Sequence, residues 1–203
     1  FLKLFKIDAR RRLYKSLLKK FGGNLTNVIV GGAALREEVA RTFEEFGINM
    51  YQGYGLTECA PLISANYPNV NKFGSVGKPV SYMDVRIDDG EIVVRGPGVM
   101  LCYYKNPEAT AEVLKGDWLW TGDMARMDEE GFIYLVDRKK DVVISGGENL
   151  YPVQIEDFLA GYPAIQDVAV IGIPDERLGE VSCAIIQLKP NHLDADGNPT
   201  DVT

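Results

Sequence analysis

The fold of this 203-residue chain is decided by residues 27–58, which read NVIVGGAALREEVARTFEEFGINMYQGYGLTE. The runs 27–31 and 48–51 each predict a short buried strand. The helix predicted between them has an apolar face formed by Leu35, Val39, Phe43 and Phe46. Gly47 would end this helix. Strand–helix–strand order indicates a parallel α/β unit. Ligands bind beyond the carboxyl ends of such strands, so the loops 31–34 and 52–58 form the expected site.

Outside this unit, the patterns predict three further regions. Residues 1–20 mix apolar and basic side chains in a way that suits a helix, which Gly22 and Gly23 would end. Residues 85–94 alternate around an Asp89-Gly90 turn, which predicts a β-hairpin. Further elements are expected as strands at 118–120, 132–136, 142–144, 167–172 and 181–188, and as a helix over Val153–Ala160 with Pro152 in its first turn.

These elements predict a mixed architecture of class α/β and α+β. A large domain over residues 1–139 would hold the α/β unit, about 1–73, and a β-rich subdomain, about 74–137. A small α+β domain would begin at residue 140 and remain incomplete at 203. The chain opens at Phe1 without Met and stops in a polar stretch, so we expect it to be a fragment of a longer protein.

The composition fits an ordinary globular protein, with 46% hydrophobic and 25% charged residues and a net charge of −7. Residues 1–20 hold eight Lys/Arg against one acid, so this basic head is either a solvated helix face, which we favour, or a contact with a membrane surface or nucleic acid. Nothing else favours nucleic-acid binding, and no apolar run is long enough to be a transmembrane segment. The three scattered cysteines are expected as buried thiols of a cytoplasmic protein.

The segment Gln52–Glu58 concentrates functional groups in one short stretch. Its glycines permit close approach of the backbone to a ligand. Tyr54 offers a flat face for a purine, Thr57 a hydroxyl for a phosphate oxygen, and Glu58 a hard oxygen ligand suited to Mg²⁺. The alternative is a plain turn before a helix, with Thr57 as its N-cap.

Three other segments carry candidate binding groups. Asp123 follows an aromatic strand and can accept hydrogen bonds from a ribose diol, or it can cap its own turn. Arg138 can hold a phosphate or ribose oxygen, or form a surface ion pair with Asp137 or Asp141. Gly146-Gly147 between a strand and a helix can approach a nucleotide or a pantetheine arm, although a Gly-Gly pair alone is weak support.

Taken in order, the motifs of this chain resemble those of the adenylate-forming superfamily of acyl-CoA synthetases, luciferases and peptide-synthetase adenylation domains. The resemblance spans about residues 30–190 and rests on several runs: Gly31–Ala34, Gln52–Glu58, Gly74–Pro79, Gly90–Gly96, Trp118–Asp123, and Asp137–Asp141 leading to Gly146-Gly147 and Pro152. It implies a two-step reaction in which a carboxylate and ATP form acyl-AMP, and CoA then displaces AMP.

The resemblance also implies a role for each matching residue. Gly32 and Ala33 would line the adenine and acyl pocket, Gln52 and Gly53 would lie against the nucleotide and acyl group, and Tyr54 would stack on adenine. Thr57 and Glu58 would be catalytic, meeting the phosphate and Mg²⁺. Asp123 and Arg138 would hold the ribose, Lys140 would be the hinge of the small domain, and Gly146 and Gly147 would face CoA.

Two family features are absent: the Ser/Thr/Gly-rich phosphate loop, which belongs before Phe1, and the catalytic lysine, which belongs after Thr203. We therefore expect the isolated chain to be inactive. The runs around Asp137–Asp141 and Gly146–Pro152, with the basic head, look most like fatty acyl-CoA ligases. The alternatives are an aryl-CoA ligase, a peptide-synthetase adenylation domain, and a non-catalytic nucleotide-binding module of the same fold.

Overall fold

The computed structural model describes residues 9–33 and 35–192, and its chain divides into two compact units. The first unit comprises Phe1–Thr121 and Arg126–Leu135, and the second comprises Gly122–Ala125 and Val136–Thr203. Helices and strands are mixed throughout, which confirms the expected α/β and α+β class. The predicted boundary between residues 139 and 140 stays a prediction.

The first described segment is helical but broken. Helix α1 covers Arg10–Leu13 and α2 covers Lys15–Lys20, because Tyr14 between them has non-helical dihedral angles. The predicted single helix over residues 1–20 is therefore wrong at Tyr14, and its residues 1–8 lie outside the described part. Gly23 closes α2 as expected, since its N–H donates to the Leu18 carbonyl at 2.9 Å and its φ is +79°.

Two arginines of the basic head bond to backbone carbonyls instead of facing only solvent. Arg11 donates to the carbonyls of Gly23 at 2.9 Å, Leu25 at 2.7 Å and Gly47 at 3.0 Å, and Arg10 donates to that of Glu44 at 2.7 Å. The three carbonyls that Arg11 reaches lie outside the helices, so this one side chain ties the segment after α2 to the chain at Gly47. The solvated-face interpretation is wrong for the half-buried Arg11, whereas Arg10 remains exposed. Membrane contact by this segment has no support from the described residues.

The parallel α/β unit forms as predicted. Strand β1, Asn27–Val30, and strand β2, Asn49–Gly55, pair in parallel from Asn27↔Asn49 to Val30↔Gln52, with helix α3, Glu37–Glu45, between them in the chain. The buried residues of this core are Leu18, Ala40, Ile48 and Met50. Gly47 follows α3 with φ +82°, a left-handed conformation that glycine adopts at little cost.

Strand β2 is longer than the sequence predicts. The expected strand stops at Tyr51, but β2 continues to Gly55 because strand β3, Leu62–Ala65, pairs antiparallel with its second half. Strand β4, Lys78–Pro79, pairs with β3 and completes a sheet of order β1-β2-β3-β4. Most of the predicted 52–58 loop is therefore strand.

A second sheet follows, with the order β5-β6-β8-β7 and with β9 paired to β8. Its strands are β5 Asp84–Asp88, β6 Glu91–Arg95, β7 Leu114–Lys115, β8 Trp118–Met127 and β9 Ile133–Arg138. The predicted hairpin is confirmed: β5 and β6 are antiparallel, and Asp89 and Gly90 both have positive φ, as a type I′ turn requires.

Helix α4, Pro107–Val113, was missed by the sequence reasoning although its start is marked locally. Asn106 is the N-cap, and its side chain accepts a hydrogen bond from the Ala109 N–H at 3.0 Å. Pro107 occupies the first helical position, where its missing N–H costs nothing. An Asn-Pro pair before Glu and Ala was therefore a usable signal.

The second unit contains a sheet of order β11-β10-β13-β12 and one helix. Its elements are β10 Val143–Ser145, β11 Glu148–Leu150, α5 Pro152–Ala160, β12 Ile165–Asp175 and β13 Gly179–Leu188. The predicted helix over Val153–Ala160 is confirmed, with Pro152 at its first position. Strand β11 was missed, so Gly146-Gly147 is the turn of an antiparallel hairpin and not, as expected, a strand-to-helix connection.

The thiols are only partly buried. Cys59 is buried and Cys183 is half-buried, but Cys102 is exposed, so the expectation that all three are buried is wrong for Cys102. The cytoplasmic compartment inferred from them stays a prediction. Within residues 9–33 and 35–192, every helix is too short or too polar to cross a bilayer.

Candidate functional site

The carboxyl ends of β1 and β2 bring the two predicted loops together. A side chain added at Gly31 would meet the Gly53 carbonyl at 3.7 Å, so the backbone after β1 lies against β2. Gly32 and Ala33 follow in an exposed turn, and Gly32 has φ +78°. Both residues therefore lie at the end of the parallel pair where ligands bind in α/β sheets.

The glycines at the end of β2 provide room for the chain's own backbone. A Cβ on Gly55 would lie 1.8 Å from the Pro61 carbonyl oxygen, and one on Gly53 would lie 3.2 Å from the Ser64 oxygen. The backbone of Pro61 and of antiparallel β3 thus lies against these two glycines. Binding of a ligand by Gly53 stays a prediction.

The side chains in this part of β2 are buried. Gln52 is 9% exposed and Tyr54 is 7% exposed. The backbone of Gln52 is also engaged, because its carbonyl accepts hydrogen bonds from the Asn66 backbone at 2.9 Å and from the Asn66 side chain at 3.1 Å. Stacking of Tyr54 on adenine stays a prediction, and it would have to use the small part of the residue that is exposed.

A short 3₁₀ turn over Thr57–Cys59 follows β2 and presents the polar side chains of this segment. The Leu56 N–H donates to the Pro61 carbonyl at 2.8 Å and the Cys59 N–H to the Leu56 carbonyl at 2.9 Å, which closes the turn. Thr57 is exposed, and Leu56 holds the N-cap position, so the alternative role of Thr57 as an N-cap is wrong.

Glu58 is the best-anchored polar group of the turn. The Tyr103 hydroxyl donates to Glu58 Oε1 at 2.9 Å, and the Met100 N–H donates to the Glu58 carbonyl at 2.7 Å. The next residue, Cys59, is buried, and burial together with the Glu58 charge raises the pKa of its thiol to about 11. The thiol therefore stays neutral at physiological pH.

Asp123 does not follow its strand as expected but lies inside β8, so the alternative of a turn aspartate is wrong. Its role as an acceptor for a ribose diol stays a prediction. Gly122 before it has φ +77°, which marks an irregular point in the strand. Arg138, the last residue of β9, brings its Nε to 3.8 Å from Asp123 Oδ1. The Asp123 side chain is 15% exposed and that of Arg138 is 65% exposed, so the pair is accessible from solvent on the arginine side.

Asp137, next to Arg138, has a structural role that the sequence reasoning missed. Its side chain accepts hydrogen bonds from the Arg138 N–H at 2.7 Å and from the Val153 N–H at 3.1 Å. Val153 is in the first turn of α5, where a carboxylate satisfies a free N–H and stabilises the helix dipole. No local pattern links two residues that are 16 positions apart, so sequence alone had no signal for this contact.

The predicted hinge and CoA-facing residues are all exposed. Lys140 lies in a 3₁₀ turn over Lys139–Asp141, directly after β9. Gly146 and Gly147 have φ of +59° and +89°, and the Gly146 N–H donates to the Leu178 carbonyl at 2.8 Å. Exposure fits both proposed roles but is not specific for either of them.

The predicted residues therefore fall into two groups. Gly32, Ala33, Gln52, Gly53, Tyr54, Thr57 and Glu58 belong to the first unit, whereas Asp123, Arg138, Lys140, Gly146 and Gly147 belong to the second. That the two groups meet on one nucleotide stays a prediction.

The first group of residues could bind a magnesium ion only as part of a metal–nucleotide complex. Among the described residues, no cluster of three or more His, Cys, Asp or Glu side chains is arranged to hold a metal. Mg²⁺ in nucleotide sites is bound by one or two carboxylates, with phosphates and waters as its other ligands. A single half-buried carboxylate such as Glu58 is consistent with that arrangement.

Comparison with known proteins shows which family this chain matches. Residues 3–104 match the sequence model of the family described as AMP-binding enzyme, and residues 154–202 match that of the AMP-binding enzyme C-terminal domain. A feruloyl-CoA synthase of Amycolatopsis sp is 42% identical over 191 residues, covering 88% of this chain and 38% of the relative. A long-chain-fatty-acid–CoA ligase of Bacillus subtilis is 43% identical over 180 residues, covering 82% and 32%.

Solved structures agree with these sequence matches. The o-succinylbenzoate coenzyme A synthetase from Bacillus subtilis, in complex with ATP and magnesium ion, has a TM-score of 0.73 and 32% sequence identity. The similarity covers 86% of this chain and 40% of that structure. The chain thus spans well under half the length of the relatives that it matches.

Proposed function

Because this chain belongs to the AMP-binding enzyme family, we propose that the whole protein is an ATP-dependent, AMP-forming acyl-CoA ligase. In the first step, a carboxylate oxygen of the substrate attacks the α-phosphorus of ATP and pyrophosphate leaves. In the second step, the CoA thiol loses its proton, its sulfur attacks the acyl carbon, and AMP leaves. Both steps build or move negative charge on phosphate oxygens, so they benefit from fixed donors and cations.

The observation that carries this proposal is the anchored turn Thr57–Cys59 at the carboxyl end of the parallel pair. It combines an exposed hydroxyl at Thr57 with a carboxylate at Glu58 that is held by Tyr103. Thr57 would donate to a phosphate oxygen and Glu58 would be a ligand of nucleotide-bound Mg²⁺. The ion would supply charge neutralisation on the phosphates.

The remaining residues of the first unit would hold the rest of the acyl-adenylate. Gly32 and Ala33, exposed after β1, would face adenine and the acyl group. Gln52 and Gly53 would contribute backbone surface, and Tyr54 would contribute part of its ring. Support for this arrangement is the contact between Gly31 and Gly53, which puts the two segments side by side.

The second unit would hold the ribose and the CoA arm. Asp123 would accept hydrogen bonds from the ribose hydroxyls, and Arg138, whose Nε is 3.8 Å from Asp123 Oδ1, would donate to a ribose or phosphate oxygen. Lys140 would act as a hinge between the two steps, and Gly146 and Gly147 would face CoA. A hinged rotation of this kind is a common way to expose one site to two successive reactions.

The substrate class has two candidates. A fatty acid is favoured by the resemblance of the runs Asp137–Asp141 and Gly146–Pro152, and the 43% identical relative is a long-chain-fatty-acid–CoA ligase. An aromatic carboxylate is favoured to the same degree by the 42% identical feruloyl-CoA synthase. A panel of fatty and aryl carboxylates, compared by kcat/KM for AMP release with CoA present, discriminates between them.

The proposed activity is tested in the full-length protein by AMP release from ATP, carboxylate and CoA. Asp123→Asn keeps the size of a side chain that is 15% exposed, and we expect a loss of about 10- to 100-fold in kcat/KM because a charged hydrogen-bond acceptor is removed. The matched control is Asp117→Asn, an exposed aspartate in the turn between β7 and β8, which should leave the rate unchanged. ATP binding without AMP release from any carboxylate would overturn the proposal and favour a non-catalytic nucleotide-binding protein.

A further inference from the structure

Tyr103 makes a specific contact with the proposed metal ligand from a distant part of the chain. Its hydroxyl donates to Glu58 Oε1 at 2.9 Å, although the two residues are 45 positions apart. The contact is partly buried, which limits competition from water. The residues next to Glu58 in the chain do not form this bond. It depends on the fold, which brings the distant Tyr103 to the carboxylate.

The segment that carries Tyr103 is packed onto the Glu58 turn at the backbone as well. The Met100 N–H donates to the Glu58 carbonyl at 2.7 Å. A Cβ on Gly98 would lie 2.7 Å from the Cys59 carbonyl oxygen. Only glycine at position 98 therefore lets this segment lie so close to the Glu58 turn. Both the backbone and the carboxylate of Glu58 are therefore held by one short stretch, residues 98–103.

Tyr103 is itself fixed by the start of helix α4. Its N–H donates to Thr110 Oγ1 at 3.0 Å, and its carbonyl accepts from the Asn106 N–H at 3.2 Å. The Thr110 hydroxyl in turn donates to the Asn106 carbonyl at 2.7 Å. The neighbouring Tyr104 is 85% exposed, so the two adjacent tyrosines differ sharply in environment.

We propose that Tyr103 is a positioning residue for Glu58, which limits rotation of the carboxylate by occupying Oε1 and thereby reserves Oε2 for a nucleotide-bound cation. The inference rests on the proposed function, because it assigns a purpose to Glu58 within that site. A carboxylate on a flexible side chain loses less entropy on binding an ion when one oxygen is already held. Groups that orient a metal ligand in this way are worth about 10- to 100-fold in metal affinity or activity.

The chemistry of the pair suits this role over the working pH range. Burial, and then the hydrogen bond to Glu58, raise the pKa of Tyr103 above its ordinary value of 10.0. The hydroxyl therefore remains a donor at neutral pH and does not become a second negative charge beside Glu58.

The test compares Tyr103→Phe with Tyr104→Phe in the full-length protein. Each variant removes one hydroxyl and keeps the ring, and circular dichroism checks that both fold. We expect Tyr103→Phe to raise the Mg²⁺ concentration that half-saturates ATP binding and AMP release by about 10-fold, with kcat recovered at saturating Mg²⁺. Tyr104→Phe should match the unaltered protein in both measurements. An equal loss at every Mg²⁺ concentration, or no change at all, overturns the proposal.

A second measurement does not depend on activity. In protein with isotope-labelled tyrosine rings, the NMR signal that Tyr103→Phe removes is that of Tyr103. Glu58→Gln should shift the Tyr103 ring signal at neutral pH, because it replaces the carboxylate that accepts from the Tyr103 hydroxyl, and should leave the Tyr104 ring signal unaffected. If the Tyr103 ring signal does not respond to Glu58→Gln, the contact is absent in solution and the proposal is wrong.

The two measurements also separate this inference from the proposed function. Failure of the unaltered protein to release AMP counts against the ligase assignment, while the Tyr103 ring signal still reports the Tyr103–Glu58 contact. If the protein is active and Tyr103→Phe leaves the Mg²⁺ dependence unchanged, only the positioning role is overturned. If Tyr103→Phe fails to fold, Thr110→Val, which removes the acceptor of the Tyr103 N–H, should raise the Mg²⁺ requirement in the same direction, and an unchanged requirement overturns the role.

Discussion

The end of β2 and the turn between β10 and β11 both place glycines beside proposed binding groups, but their glycines meet different physical requirements. Gly55 has no room for a side chain, since a Cβ would lie 1.8 Å from the Pro61 oxygen. Gly147 has nothing within 4 Å of that position, but its φ is +89°. The first glycine is needed for space and the second for conformation.

The difference extends to how each region is held. The turn after β2 is fixed by backbone hydrogen bonds from Leu56 and Met100 and by the side chain of Tyr103. The exposed turn at Gly146 and Gly147 is held by its own hairpin and by the bond to the Leu178 carbonyl. Groups proposed to bind phosphate and metal are thus built into packed backbone, whereas those proposed to meet CoA lie on an exposed turn.

The largest difference between the two regions should appear when one glycine in each is replaced by alanine, which adds a methyl group. Gly55→Ala forces the β3 backbone away from β2, and overpacking of this kind costs about 3 kcal/mol or more. Gly147→Ala, the matched control, costs only about 1 kcal/mol, the penalty for a left-handed alanine. Urea unfolding followed by tryptophan fluorescence reports the first, because Trp118 and Trp120 both lie in the first unit. Hydrogen exchange of the β10–β11 amides reports the second. Equal costs at the two positions would contradict the distinction between space and conformation.

Asp137 offers an intermediate test in the second unit. Asp137→Ala leaves the Val153 N–H without its acceptor. Because Val153 is 39% exposed, water replaces part of the lost bond, and we expect a loss of about 1 kcal/mol in local stability. Amide hydrogen exchange in α5 measures this loss, with exposed Asp141→Ala as control. Unchanged protection of α5 would show that the segment before the proposed hinge is anchored by something other than this carboxylate.

The smallest expected effect concerns charge in the first unit. Lys72 bonds to Asp128 at 2.7 Å and to Glu130 at 2.9 Å, which ties the segment after β3 to the turn between β8 and β9. The Lys72 hydrogen bond, with further bonds from Phe132 and Tyr134, lowers the pKa of Asp128 from 3.8 to about 2. A carboxyl with a lowered folded-state pKa stabilises the fold above its unfolded pKa and loses that effect as pH falls.

Stability of the first unit should therefore decrease between about pH 4 and pH 2 more steeply in the unaltered chain than in Asp128→Asn. Urea midpoints from tryptophan fluorescence at several pH values in that window measure the difference. The effect should be small because Lys72 and Glu130 are partly exposed and the interaction is screened by water. Parallel curves for the two proteins would mean that packing alone holds this segment.

Much of the fold was predictable because it follows from short-range chemistry. The parallel strand–helix–strand unit came from hydrophobic periodicity, and the β5–β6 hairpin came from Asp89-Gly90, whose backbone preference is local. The start of helix α5 was predicted from Pro152, because proline is favoured at the first helical position. The missed strand β11 is only three residues long and polar, so its formation depends on pairing with β10. The extension of β2 to Gly55 likewise depends on β3.

The candidate site divides in the same way. Sequence by itself determined the types of functional residue, such as Thr57, Glu58 and Asp123, and their order. Each motif consists of residues that are adjacent in the chain, so it can be recognised without knowing the fold. Only the tertiary structure decided that Asp123 lies within a strand near Arg138, and that Tyr103 holds Glu58. These contacts join residues 15 and 45 positions apart in the chain, and such long-range pairs form only when packing brings distant segments together.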